Sequence, residues 1–281
     1  MSELKITVLI ENNSFNELLC EHGLSFYIEY LNECYLLDAG QSDGFMHNAS
    51  KLNLDLNKIK YAILSHGHYD HGDGFLPFQE KYLKPIYLME TSINHYYSNS
   101  KGNLREIGLV DDLIKRYQHT FVLLSEMIEI DGFYLLPHST KLLSCIGSKA
   151  GLFKVKADNI VPDDFDHELS VIFKTNKGLV IMNSCSHAGL ENIVDEVKRA
   201  LPEEKIYAYI GGLHLKKMVN KEETCLYSND EVKHLCNYIK DNKIQKIYTG
   251  HCTGSVAYDL LKEQLQDVIQ PLYSGCVIEI I

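Results

Sequence analysis

Short apolar runs bounded by glycine, asparagine and acidic residues recur along the chain, and their length predicts β-strands more often than helices. In the first half, residues 6–11 predict one strand, and 25–30 with 34–37 predict a hairpin that closes at Asp38-Ala39-Gly40. A polar stretch over 45–52 has helical spacing and 61–64 is the next apolar run, so the order here is strand, helix, strand. In the second half, 169–173 and 179–182 predict a hairpin around the Asn176-Lys177-Gly178 turn, followed by a helical pattern over 190–201. The unit then recurs. A run at 206–210 precedes a charged helix over 229–240, and a run at 244–248 precedes a helix over 256–265. Residues 78–142 mix helical and loop patterns around Tyr82, Tyr87, Tyr96, Tyr97, Tyr117 and Phe121. They are expected to form a lid or insertion beside a site, with ordinary core as the competing reading, since aromatic residues pack more often than they bind.

Hydrophobic residues make up 45% and charged residues 23% of the 281, which favours one folded body over 1–281 and argues against disorder. The start carries no basic segment followed by a long apolar stretch, and no later run approaches bilayer length. A cytoplasmic location without a membrane partner is expected. A formal charge of −11 and the lack of a basic cluster argue against a nucleic-acid partner. They leave room for an anionic small molecule, because bound dications reverse the field inside a pocket. The oligomeric state is not legible. Eight cysteines stand singly and are expected to be reduced, mostly buried thiols. Cys185 and Cys252 each lie within two residues of a histidine at a strand end, so contact with a site is open for both.

The run 61–64 ends in Ser65-His66-Gly67-His68-Tyr69-Asp70-His71, which packs four potential metal ligands into six positions. Gly67 and the Gly72-Asp73-Gly74 that follows stop the strand, so the ligands sit on a loop at its end. His66 and His68 are two apart and can point the same way from extended backbone, whereas Asp70 and His71 lie past the bend. One loop can thus serve two adjacent ions. Imidazole and carboxylate donors without thiolate suit zinc, with iron or manganese as alternatives, and point to catalysis rather than a structural site. Three later runs end alike, in Asn183-Ser184-Cys185-Ser186-His187, in Gly211-Gly212-Leu213-His214 and in Thr249-Gly250-His251-Cys252. Convergence on one cleft explains a histidine at each of these strand ends.

The motif from His66 to His71 resembles the H-x-H-x-D-H signature of the metallo-β-lactamase fold superfamily. Asp38, before Ala39-Gly40, resembles that superfamily's first motif, an acidic residue that braces the metal loop from behind. The segments Glu21-His22-Gly23-Leu24-Ser25, Arg105-Glu106-Ile107-Gly108, Ser184-Cys185-Ser186-His187, Gly211-Gly212-Leu213-His214 and Gly250-His251-Cys252-Thr253-Gly254 are similar to one branch. That branch is the class II metal-dependent hydrolases, often labelled dihydropterin ribofuranosylaminobenzene phosphate synthase-like. The resemblance implies an α+β fold, an αββα sandwich of two mixed sheets packed face to face with helices on the outer faces. It implies one ion held by His66, His68 and His187 and a second held by Asp70, His71 and His251. His68 stands where di-iron redox members carry Glu, which favours hydrolysis and a pair of zinc ions. One departure stands out: most of the superfamily bridges the ions with an aspartate after a late strand, whereas the strand ending at Met182 runs into Asn183-Ser184-Cys185. Asp163, Asp164, Asp166, Glu168, Cys185 or a shared hydroxide alone are the candidates to replace it, and a single ion stays open.

The activity expected is hydrolysis by a metal-bound hydroxide, with Asp70 orienting it and taking its proton and His214 contacting substrate or leaving group. The branch suggests a phosphorylated or phosphodiester small molecule, pterin- or ribose-like. Free N–H groups at the helix starts after His187 and His251, with the hydroxyls of Ser186, Thr253 and Ser255, are candidates to hold its anion; plain helix capping is the competing reading. Amide, lactam or thioester hydrolysis, a metal-binding sensor without turnover, and di-iron redox chemistry are the rivals.

Overall fold

In the computed structural model, which describes residues 3–99 and 102–281, the apolar runs assemble into two seven-stranded sheets. The first has the order Val277–Ile280, Leu4–Ile10, Ser25–Tyr30, Glu33–Leu37, Ile59–Ile63, Ile86–Met89, Phe121–Leu124. The second has the order Ile269–Pro271, Lys246–Thr249, Ile206–Ile210, Gly178–Met182, Leu169–Thr175, Phe133–Pro137, Ile128–Ile130. Each sheet is antiparallel on one side and parallel on the other. Parallel neighbours need a crossover, so the helices fall between those strands: Gly44–Lys51, Phe75–Tyr82 and Asp111–Tyr117 on the first sheet, Leu190–Ala200, Asn229–Asp241 and Ser255–Leu265 on the second.

Burial explains the layering. Leu4, Ile6, Val8, Phe26, Ile28 and Leu37 of the first sheet meet Phe133, Leu135, Val171, Phe173, Val180 and Met182 of the second in one apolar slab. Each such side chain contributes about 1.5–3 kcal/mol on leaving water. The opposite face of the first sheet packs Leu36, Ala62 and Leu88 against Phe45, Phe75 and Phe78, and that of the second packs Ile181, Tyr209 and Ile247 against Ile193, Val197, Leu235 and Leu261. Helix, sheet, sheet, helix is the αββα sandwich expected. Among the described residues no helix is long and apolar enough to cross a membrane.

Two expectations are corrected. Residues 78–142 are mostly core rather than lid: Ile86–Met89 and Phe121–Leu124 extend the first sheet and Phe133–Pro137 sits inside the second. Tyr96–Ser98 and Arg105–Glu106 instead join Leu152–Lys156 and Asn159–Pro162 in a separate four-stranded sheet beside the site. The cysteines are all free, but Cys185, Cys236 and Cys252 alone are buried, while Cys20 and Cys145 are exposed.

The parallel strands of both sheets end at a common edge. There the chain turns sharply, and Asp38, Ser186, His214 and His251 all have positive φ, between 48° and 56°. Left-handed backbone costs a side-chain-bearing residue about 1–2 kcal/mol, and its concentration at four strand ends marks an edge shaped for something other than stability.

Candidate metal centre

Behind the 66–71 loop, fully buried Asp38 accepts from Ser65 N at 2.7 Å and from Ser65 Oγ at 2.7 Å, and lies 2.7 Å from His71 Nδ1. A carboxylate acceptor fixes the ring proton of His71 on Nδ1 and leaves its Nε2 with a lone pair. Ser65 Oγ, having given its proton to Asp38, accepts from His66 Nδ1 at 2.8 Å, so His66 Nε2 is free in the same way. His251 Nδ1 lies 2.9 Å from Asn12 Oδ1, an amide oxygen already identified by the bond it accepts from Gly23 N. In the neutral ring, His251 Nε2 therefore also carries a lone pair.

These lone pairs face one another. His71 Nε2 is 3.2 Å from His251 Nε2, His66 Nε2 is 3.2 Å from His187 Nε2, and the buried His68 Nε2 has no hydrogen-bond partner. Two imidazole lone pairs at that distance repel unless a proton or a cation joins them. Tetrahedral zinc with Zn–N bonds of about 2.0–2.1 Å holds its nitrogens about 3.3 Å apart, so the residues fit the ion. Burial, with His71, His68 and His187 around it, holds His66 well below the usual imidazole range, and burial with neighbouring His167 pulls His68 down to about 3. Both are in the neutral, ligating form at pH 7.

His66, His68 and His187 form one cluster of ligand atoms. Asp70, His71 and His251 form the other: Asp70 Oδ2 is 3.4 Å from His251 Nε2 and 3.7 Å from His71 Nε2. Burial opposes charge on Asp70, but His71, His251 and His22 outweigh it and hold the carboxyl far below its ordinary range. His22, to which sequence reasoning gives no role, stands 3.2 Å from Asp70 Oδ2 with its ring 4.8 Å from that of His251. Its one sequence signal is Gly23, where a Cβ would strike the Asp70 carbonyl. His167 was equally hidden; its Nδ1 accepts from Gly67 N at 3.0 Å, its Nε2 is 3.0 Å from Asp163 Oδ2, and its ring backs that of His68 at 5.2 Å.

The acidic candidates for a bridge are engaged elsewhere. Asp163 holds His167 and Phe165 N, Asp164 and Asp166 pair with Lys154, and the Glu168 carboxylate accepts from His187 N and Ala188 N at 2.8 and 2.9 Å. Cys185 does face the cluster, with Sγ 3.2 Å from His71 Nε2 and 3.4 Å from Cys252 Sγ.

The helix start after His251 is not free for an anion, which corrects part of another expectation: Glu223 Oε1 accepts from Ser255 N, Ser255 Oγ and Val256 N, the capping alternative. Glu168 occupies the amides at 187–188, in the turn before the helix that begins at Leu190. Ser186 Oγ donates to Gly212 O, and Thr253 Oγ1 accepts from Leu213 N, so these hydroxyls are engaged within the fold. His214 does reach the site: its ring is 4.3 Å from that of His187, and its buried Nδ1 has no hydrogen-bond partner. Tyr96 is fully buried behind His68 and His167, whereas Tyr69 borders the opening.

A cleft of about 660 Å³ opens over the cluster, lined by His22, His68, Asp70, Cys185, His187, His214 and His251 and by four cations, Arg105, Lys149, Lys216 and Lys217. Lys149 pairs with Glu231 at 2.5 Å and Lys216 with Glu223 at 3.1 Å. Arg105 and Lys217 have no carboxylate partner among the described residues, and Arg105 stacks over Tyr69 at 5.8 Å.

This sandwich with a histidine-rich cluster at one edge is similar to the metallo-β-lactamase superfamily, whose family profile matches residues 19–151. The chain is 27% identical to a 7,8-dihydropterin-6-methyl-4-(β-D-ribofuranosyl)-aminobenzene-5′-phosphate synthase of Methanocaldococcus jannaschii, over 92% of this chain and 90% of that one. It is similar to a solved metal-dependent hydrolase of the β-lactamase superfamily, with 27% identity, 99% of both chains covered and a TM-score of 0.80. A diphosphatase of the PhnP family shares the fold at 15% identity, with 99% of this chain and 98% of that one covered and a TM-score of 0.54.

Proposed function

We propose that the chain is a metal-dependent hydrolase of a phosphorylated or phosphodiester small molecule. The observation that carries this reading is the pair of imidazole contacts, His71–His251 and His66–His187, that bring ring nitrogens together at 3.2 Å beneath a cleft with unpaired cations. His66, His68 and His187 would hold one ion and Asp70, His71 and His251 the other, zinc being the first choice for this donor set and iron or manganese the alternatives. When bound, such ions supply Lewis acidity and make water a nucleophile near neutral pH.

The protein's own groups do the rest. Asp70, ionised and turned toward the cleft, orients the attacking water and accepts its proton. Asp38 keeps the proton of His71 on the side away from the cleft. His214, whose Nδ1 is uncommitted, is placed to contact the leaving group, and Arg105 and Lys217 to attract the phosphate. The anion is thus met by side chains from the four-stranded sheet and the Lys216–Val219 strand, while Glu223 already occupies the helix start after His251.

A second reading keeps the same residues but replaces water with another nucleophile. It is favoured by the name of the M. jannaschii relative, a synthase whose product carries a ribofuranosyl group with a 5′-phosphate. Both readings fail together if Asp70→Asn, loaded with zinc and still folded, retains full turnover. The expected result is a loss of roughly 10²–10⁴-fold against phosphodiester and phosphomonoester test substrates. Product analysis then separates them, because hydrolysis needs no acceptor and transfer does.

A further inference from the structure

We propose that Cys185 is a metal ligand, its thiolate lying between the two ions in the place that a carboxylate takes elsewhere in the superfamily. The inference rests on the two-ion reading above and deepens it by naming a sulfur donor and therefore a preference among metals.

Geometry carries the argument. Cys185 Sγ belongs to two clusters of ligand atoms at once, one with His66 and His71 and one with His251 and Cys252. Since His66 falls in the first proposed set and His71 and His251 in the second, Cys185 is the side chain that reaches both. Its 3.2 Å approach to His71 Nε2 lies near the edge of a zinc tetrahedron with one nitrogen and one sulfur ligand, about 3.5 Å for Zn–N near 2.0–2.1 Å and Zn–S near 2.3 Å. The four acidic candidates for a bridge are engaged elsewhere, because Asp163, Asp164, Asp166 and Glu168 are committed to His167, Lys154 and backbone amides. His68 Nε2, buried and without a hydrogen-bond partner, faces the same cleft as a second open donor. The backbone protects this arrangement: a Cβ on Gly212 would collide with Cys252 Sγ, which itself rests 3.4 Å from Cys185 Sγ. Cys252 shares the cluster of Cys185 and His251 and supports Cys185.

A thiolate changes the metal chemistry. Soft sulfur favours zinc or iron over manganese or magnesium, so the centre discriminates against the hard dications that an all-oxygen and imidazole set would accept.

Full-length apoprotein titrated with cobalt(II) under reducing conditions tests this, since a cobalt–thiolate bond adds a near-ultraviolet charge-transfer band to the visible d–d bands. The wild type should show both. Cys185→Ser should lose the charge-transfer band, keep d–d bands and hold its second cobalt ion roughly tenfold to hundredfold more weakly. Cys252→Ser should keep the band. Cys185→Asp should restore two-ion binding without it, which covers a serine variant that folds poorly. A wild type that binds cobalt without the band, a band that survives in Cys185→Ser, or one that disappears only in Cys252→Ser overturns the assignment and leaves the metal centre standing. A folded wild type that binds no cobalt overturns the two-ion reading itself.

Discussion

The two halves of the proposed metal centre are built on different principles. The imidazole pole of His66, His68 and His187 is buried and made of neutral rings, whereas the mixed pole adds the ionised Asp70, the Cys185 thiol and the partly exposed His22 around His71 and His251. Under the assignment proposed above, a dication at the first pole would meet three neutral rings and share the Cys185 sulfur with its neighbour. At the second, Asp70 would add a carboxylate of its own and offset more of the charge. The difference teaches that one pole is suited to polarise a bound anion and the other to position a water and take its proton.

The largest effect should come from the residue that joins the poles. Asp38 braces His71 directly and His66 through Ser65, so Asp38→Ala should weaken retention of both ions by roughly tenfold to hundredfold each. It should also destabilise the fold by about 1–3 kcal/mol for each buried donor left unpaired. Metal analysis after dialysis, with chemical denaturation, measures both, and loss of one ion alone would show that Asp38 does not couple the poles. His68→Ala comes next and sharpens the comparison: one ion should be lost and the mixed-pole ion kept, so a variant that sheds both would merge the two poles into one site. Arg105→Ala lies outside both. It should raise KM for a phosphorylated substrate roughly tenfold with kcat retained, and steady-state kinetics with an unchanged KM would remove Arg105 from substrate binding.

The smallest effect belongs to a buried pair away from the centre. His138 Nδ1 is 2.9 Å from Glu196 Oε1, and that oxygen also accepts from Ser139 N and Thr140 N. Burial raises Glu196, yet His138 and these donors outweigh it and hold the carboxyl at about 2 against an ordinary 4.5. A depressed carboxyl contributes stability that is complete above 4.5 and lost as pH falls toward 2. Denaturation midpoints should therefore drop across that window in the wild type and change less in Glu196→Gln, with metal content equal in both. A pH-dependent metal loss specific to Glu196→Gln would tie this pair to the centre.

Much of this was legible because the 66–71 ligands are contiguous and because each later histidine follows an apolar run that can only be a strand. The helices over 190–201, 229–240 and 256–265 fall within a residue or so of their observed bounds for the same reason. His22 was not legible, since its partner Asp70 is distant in sequence and a lone loop histidine has no periodicity. Glu223 was missed as a cap because it reaches the helix start at Ser255 from a separate strand. The segment 78–142 was misread because its strands at Ile86–Met89 and Phe121–Leu124 are four residues long, pair with each other across more than thirty residues, and join the sheet only through Ile59–Ile63 outside the segment.

The central claim is that paired imidazole lone pairs at one sheet edge exist to hold cations. Anomalous X-ray scattering at the zinc edge, from crystals of protein purified without chelator and equilibrated with zinc, tests it most directly. The account predicts two peaks, one among His66, His68 and His187 and one among Asp70, His71 and His251. A well-ordered cluster with no peak at either position would contradict it.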